Sequence, residues 1–146
     1  MDEILNVLGL PISRRNEIDL GMGLRRTFGD GILGKALAKR VRDSKHAFII
    51  INGIRFQDEL ENARDLGARI IYITAPEELR FKRFLKRKEK TDDASQNIAE
   101  FRLQEHEPTE IGIPSLGAQA DEKIENAGTV EDLYSKIDRY IKHMQK

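Results

Sequence analysis

The sequence contains no cysteine. This absence excludes disulfide bonds and thiolate metal sites, and it is compatible with a reducing compartment. Aromatic residues make up only 6% of the chain, and 25 basic residues are balanced by 25 acidic ones. Without an excess of positive charge, the protein has no global electrostatic field that would attract nucleic acid.

Long hydrophobic runs are also missing. The longest uninterrupted apolar stretch, residues 47–51, is far shorter than the roughly 20 residues that a membrane-spanning helix needs. The N-terminal residues MDEILNVLG lack the basic and then apolar pattern of a secretion signal. These features predict a soluble cytoplasmic protein with no membrane partner.

What the chain does contain suits a globular domain. Of its 146 residues, 39% are hydrophobic and 34% are charged. This balance is typical of a folded, well-solvated protein, and the length is enough for one domain with a core. We therefore treat residues 1–146 as a single domain.

The first third of the chain has helical periodicity. Residues 2–9 predict a short helix that ends at Gly9, and residues 13–28 predict a second helix capped by Ser13. A third helix is expected after Asp30, with Asp30 as its cap. Its apolar residues recur at helical spacing: Leu33, Leu37 and Val41.

The hydrophobic period then changes. Two β-branched runs, residues 46–53 and 68–74, are typical of buried parallel strands, and residues 122–128 form a weaker strand candidate. Helical patterns lie between these strands and follow the last one, where Thr129 and Asp132 resemble a capping box. This alternation predicts an α/β protein with a parallel sheet in a three-layer arrangement.

One short motif resembles a phosphate-binding loop. Residues 29–36 read GDGILGKA and match G-x-x-x-x-G-K-[ST] except at Ala36. A working loop joins a buried strand to a helix N-terminus, and its Ser or Thr hydroxyl binds Mg²⁺. Helical sequence precedes the motif and alanine has no hydroxyl. We therefore interpret these residues as a junction between two helices, with Gly34 allowing close packing.

Several segments in order resemble another part of the P-loop nucleotide kinases. They are DEILNVLGLP, LGMGLRRTFGDGIL, IIINGIRFQDELENAR, RFLKR and ADEKIENAGT. The resemblance is to kinases of the deoxynucleoside monophosphate kinase, dephospho-CoA kinase and adenylate kinase-like type, and it covers nearly the whole chain. It implies a P-loop kinase fold that lacks the N-terminal strand, Walker A loop, helix and second strand, about 40 residues.

This truncation has a physical consequence. In the family that the chain resembles, the Walker strand lies between the strands that match residues 46–52 and 68–74. Without it, those two strands either pair directly or leave edges that another chain could fill. The resemblance therefore makes a homodimer or a rearranged sheet an expected outcome.

The resemblance also implies an acceptor side. Arg25 matches the acceptor-side arginine of the family. Gly53 matches the glycine of the family's Asp-Gly pair at a strand end, and Arg55 matches the acceptor-binding arginine that follows this pair. Arginine suits phosphate because its planar fork binds in a bidentate way and keeps its charge. The alternative is that Arg25 and Arg55 are ordinary surface residues of helices.

On the donor side the resemblance implies a lid within residues 80–110. Arg83 and Arg87 would cover the triphosphate of ATP, while Asn126 and Gly128 would lie beside the adenine. The family uses ATP and Mg²⁺, yet Asn52 stands where the family usually has an aspartate, and we predict no metal ligands. The alternatives are a solvated basic helix face and an ordinary turn.

These features lead to one preferred function and two rivals. The resemblance implies phosphoryl transfer from ATP to a nucleoside monophosphate or dephospho-CoA, weak or absent in this chain because the main phosphate cradle is missing. A non-catalytic kinase-like domain that serves as a binding or dimerisation module is the alternative. The basic run at 80–90 leaves RNA binding as a weaker third hypothesis, since the chain has few aromatics and no net charge.

Overall fold

The computed structural model describes residues 1–87 and 97–144, with the side chain of Arg87 outside the described part. Two parallel strands and a series of helices make up these residues. In chain order the elements are α1 (Asp2–Val7), α2 (Arg14–Phe28), α3 (Ile32–Asp43), α4 (Gln57–Asp65), β1 (Ile71–Thr74), α5 (Glu77–Arg87), α6 (Ile98–Gln104), α7 (Ile113–Gly117), β2 (Glu122–Glu125) and α8 (Val130–Met144).

The sheet consists of β1 and β2 in parallel, with Ile71 opposite Glu122 and Thr74 opposite Glu125. The pairing continues beyond β2, where the Asn126 amide donates to the Thr74 carbonyl at 2.7 Å. At the other end, the Asp121 carboxylate accepts the Ile70 amide at 2.7 Å. The prediction of a mixed α/β protein with parallel strands is confirmed at this level.

The prediction of a strand at residues 46–53 is wrong. These residues form no strand, and Phe48 and Ile50 are 62% and 79% exposed. A β-branched run becomes a strand only where a neighbouring strand accepts and donates its backbone hydrogen bonds. Among the described residues no strand pairs with this segment, so its local preference is not realised.

Helices α2, α3 and α4 pack around small and apolar side chains, including the fully buried Leu60 and Ala63 of α4. Gly34 allows α3 to approach α4, because a Cβ at this position would lie only 2.7 Å from Asn62 Nδ2. The predicted role of Gly34 in close packing is confirmed. The predicted cap at Asp30 is wrong, since the N-cap of α3 is Gly31 and no side chain caps that helix.

A charged cluster connects α2 to α4. The Arg25 side chain is 4% exposed, and its guanidinium donates to Asp58 Oδ1 at 3.0 Å and Glu59 Oε1 at 2.6 Å. It also donates to the Asp30 carbonyl, and its Cζ lies 3.8 Å from the centroid of the Phe56 ring. Two carboxylates and a carbonyl therefore compensate the buried positive charge.

The second half of the chain packs around aromatic rings and, at one glycine, through a close approach between a helix and a strand. Phe84 of α5 and Phe101 of α6 are buried, with ring centroids 5.4 Å apart. Residues 107–117 have a loop-like sequence, yet α7 forms within them and buries Leu116. A Cβ at Gly117 would lie 2.5 Å from the Tyr72 ring, so glycine is what lets α7 rest on β1.

Replacement of Arg25 tests the buried ion pairs. We expect Arg25→Met to lower the free energy of unfolding by about 3 to 5 kcal/mol, because Asp58 and Glu59 lose their cation while they remain largely shielded from water. Urea denaturation followed by circular dichroism measures this. The control Arg15→Met removes an exposed i,i+4 pair with Asp19 and should cost less than about 1 kcal/mol. Equal losses in the two variants would contradict the assignment.

Acidification tests the contact between Asp121 and β1. The hydrogen bond from the Ile70 amide, with help from the nearby Arg69 charge, holds the pKa of Asp121 below its usual range. This contribution is therefore present above the ordinary aspartate pKa, and it is lost as the pH falls through the lower folded-state pKa.

We expect Asp121→Asn to lower the midpoint temperature of unfolding at neutral pH and to flatten its fall between about pH 5 and pH 2. The control Asp138→Asn, an exposed change on α8, should leave that slope unaltered. Thermal unfolding across this pH range measures both slopes, and a slope for Asp121→Asn as steep as that of the natural sequence would refute the assignment.

Candidate functional site

An open cleft of about 350 Å³ is the candidate site. Its walls carry four arginines that come from three separate parts of the chain: Arg14, Arg55, Arg80 and Arg83. The buried rings of Phe84 and Phe101 form apolar lining, and Glu105 and Glu110 are the acidic residues on the walls. Four cations against two carboxylates give the cleft a local positive charge in a chain of zero net charge.

The position of the cleft follows from the sheet. Arg80 Nε donates to the Ala75 carbonyl at 3.0 Å, just after β1. Arg83 donates to the Asn126 carbonyl at 2.8 Å and to the Gly128 carbonyl at 2.9 Å, just after β2. These bonds hold one face of α5 at the carboxyl ends of both parallel strands, where open α/β sheets bind their ligands.

Two of the arginines are paired with the acidic residues. Arg55 Nη1 lies 3.0 Å from Glu110 Oε1, and Arg80 pairs with Glu105. The side chains of Arg55 and Arg80 are about 40% exposed, so water screens both pairs. An incoming anion could therefore replace either carboxylate at small cost.

The backbone at Arg55 is held by the Arg25 cluster. Glu59 Oε1 accepts from Arg25, while its Oε2 accepts the Arg55 amide at 2.9 Å. Gly53 precedes this point with a φ of +83°, a conformation that favours glycine. The turn and the carboxylate together direct residue 55 to the cleft.

The predicted residues are thus only partly brought together. Arg55 and Arg83 line the same cleft, and Asn126 and Gly128 contact Arg83 through their carbonyls. Arg25 lies in the buried cluster, with its guanidinium directed to carboxylates of α4. The Arg87 side chain and residues 88–96 of the predicted lid lie outside the described part of the chain.

Sequence reasoning did not single out Arg14, Arg80, Glu105 or Glu110. Arg80 could have been found, because it stands three residues before Arg83 and therefore shares its helix face. Arg14 and Glu110 reach the cleft from α2 and from the turn before α7, and no local spacing signals that arrangement. Within residues 1–87 and 97–144, no group of three or more His, Cys, Asp or Glu side chains could hold a metal ion.

Comparisons with known proteins give relatives but no activity. The chain is 27% identical over 132 residues to a UPF0200 protein of Saccharolobus islandicus, covering 88% of this chain and 69% of that protein. A UPF0200 protein of Sulfurisphaera tokodaii is 27% identical over 128 residues, with 87% and 70% covered. One from Methanothermobacter thermautotrophicus is 30% identical over 109 residues, with 73% and 56% covered.

Other comparisons add no further identification. No protein-family model matches the chain, and no solved structure matches it. In the part of the chain that the structure describes, no helix is both long and apolar enough to cross a membrane.

Release of Arg55 from Glu110 tests whether the cleft binds anions. We expect Glu110→Gln to raise the affinity for pyrophosphate by up to about fivefold, because a screened carboxylate then no longer competes for the guanidinium. Isothermal titration calorimetry measures the change. The control Glu122→Gln removes an equal charge from β2, outside the cleft wall, and should have little effect. Unchanged or weaker binding in Glu110→Gln would show that the anion does not use Arg55.

Proposed function

We propose that this chain is a nucleotide-kinase-like protein whose arginine-lined cleft binds the phosphates of a nucleotide. The observation that carries the proposal is the convergence of Arg14, Arg55, Arg80 and Arg83 at the carboxyl ends of two parallel strands. The resemblance to P-loop nucleotide kinases supports it independently, as does the mixed α/β fold. The three-layer kinase architecture is part of this proposal.

Arginine chemistry explains how such a cleft would hold its ligand. A guanidinium presents parallel N–H donors that match two phosphate oxygens, and it remains charged at every physiological pH. Arg55 and Arg80 would exchange their glutamate partners for phosphate oxygens. Arg83 would keep the segment of Asn126 and Gly128 in place, since its donors already bind the carbonyls of that segment.

We assign the acceptor phosphate to Arg55 and give Arg25 a positioning role. The Arg25 guanidinium is occupied by two carboxylates and a carbonyl, whereas the Arg55 side chain is 40% exposed and lines the cleft. Glu59 links the two residues, because it accepts from both. The acceptor class is a nucleoside monophosphate or dephospho-CoA, as the resemblance implies.

The cleft suits the phosphates of ATP, but the described residues offer no comparable site for Mg²⁺. The cleft offers cations for phosphate oxygens, and a bound ATP would supply the transferable phosphoryl group. Among the described residues no group of three or more His, Cys, Asp or Glu side chains could hold a metal ion, and Asn52 is a neutral, exposed side chain. We therefore derive no step through Mg²⁺.

Transfer by these 146 residues is expected to be weak or absent. Residues 29–36 carry the phosphate-loop pattern, but they join α2 to α3 instead of following a strand. The backbone N–H groups of such a junction do not converge on a ligand at the sheet edge. Binding without efficient turnover is therefore the predicted behaviour.

Titration with ATP and with a nucleoside monophosphate such as AMP tests the proposed binding. We expect millimolar or tighter affinity for each, and we expect Arg55→Gln to weaken the binding of the monophosphate about tenfold or more, because charged hydrogen bonds contribute about 1.5 to 3 kcal/mol each. Arg40→Gln, an exposed change on α3, is the matched control. Absence of binding, or equal loss in both variants, would contradict the proposal. Measurable phosphoryl transfer would contradict only the expected inactivity.

A second candidate function is a non-catalytic binding or dimerisation module. The exposed side chains of Phe48 and Ile50 favour it, since adjacent apolar groups on a surface often mark a contact with another chain. Tight self-association without nucleotide binding would support this candidate. Nucleotide binding that depends on Arg55 would favour the kinase-like function.

A further inference from the structure

A second surface, separate from the arginine cleft, has the properties of an unpaired sheet edge. β1 and β2 form a two-stranded parallel sheet. In the described part of the chain, each strand therefore keeps one row of backbone N–H and C=O groups without a strand partner. Parallel sheets are normally larger and covered, and two strands alone are of marginal stability. The sheet is therefore suited to accept another strand.

The two edges differ in chemistry. β2 reads EKIE, and its charged side chains are exposed, which discourages the addition of a further strand. β1 reads IYIT, has no charge, and exposes Ile73 to 46%. Addition of a strand is therefore favoured at the free edge of β1.

The same chain contains a matching segment. Residues 47–51 read AFIII, and Phe48, Ile49 and Ile50 are all exposed. Within the part of the chain that the structure describes, residues 47–54 make no backbone–backbone hydrogen bond. β-branched and aromatic residues of this kind prefer strands, and five residues are enough to pair along the four of β1.

We propose that residues 47–51 of one copy pair along the free edge of β1 in a second copy. Each chain supplies one apolar segment and one uncharged edge, so a twofold arrangement satisfies both at once. The formal net charge of zero means that no long-range repulsion opposes the approach of two copies. The occupant of the edge is thus a second molecule of the same chain, and the product is a closed dimer.

Complementary variants test this pairing. We expect the natural chain to be a dimer by size-exclusion chromatography with light scattering, and we expect Ile50→Lys and Ile73→Glu each to be monomeric. Mixing these two variants should restore a dimer, because the intact segment of one chain meets the intact edge of the other. The control Val7→Lys, at an 84% exposed residue of α1, should remain dimeric.

Hydrogen exchange of the natural chain provides a readout that does not depend on variant folding. Amides within residues 47–51 and 71–74 that face the new pairing, and not those of β1 that already bond to β2, should gain at least about tenfold protection when the concentration rises from monomeric to dimeric conditions. A monomer at all concentrations, an open-ended series of oligomers, or a dimer that survives Ile50→Lys would each overturn the proposal. Because none of these measurements involves nucleotide, their failure would leave the proposed cleft function untouched.

Discussion

The buried guanidinium of Arg25 is the interaction on which the first half of the structure depends. Arg25 lies in the last turn of α2, and the carboxylates that compensate it both belong to the first turn of α4. A charge at 4% exposure is tolerable only while these partners are in place, because desolvation of an uncompensated ion costs several kcal/mol. The positions of α2 and α4 are therefore coupled.

That coupling extends to the candidate site. Glu59 uses one carboxylate oxygen for Arg25 and the other for the Arg55 amide. The backbone that presents Arg55 is thus oriented by the same buried cluster that holds the helices together. Arg25 affects the cleft only through Glu59, whereas Arg55 lines the cleft itself. The sequence alone does not distinguish these two roles, because both residues are arginines at positions that match the acceptor side of the kinase family.

The second half of the structure is organised by the carboxyl ends of the strands. Arg80 and Arg83 each donate to carbonyls that follow a strand, and this contact places α5 over the end of the sheet. The free edge of β1 is a different part of the same sheet. This edge is uncharged, whereas the cleft is lined by arginines. Phosphate binding and strand addition would therefore use separate chemistries on separate surfaces.

Local sequence determined most of the helices and both strands of this protein. The periodicity of α2, the end of α1 near Gly9 with a φ of +69°, and the capping box of Thr129 and Asp132 were all predictable, because each depends on residues within one or two turns. The helix junction at residues 29–36 was predictable for the same reason. Only the tertiary structure decided which of the predicted strands form. Within residues 68–74, β1 pairs with β2, whereas residues 46–53 pair with no strand among the described residues.

The residues of the candidate site were likewise only partly predictable from the sequence. The family resemblance pointed to Arg55 and Arg83, although the strand expected before Arg55 does not form, whereas Arg14 and Glu110 join them only through packing of distant segments. The burial of Arg25 could not be predicted from local sequence either. An arginine next to Arg26 is expected to be exposed to solvent, and only the packing of α4 brings two carboxylates to it. Local propensity depends on neighbours along the chain, whereas charge compensation and strand pairing depend on neighbours in space.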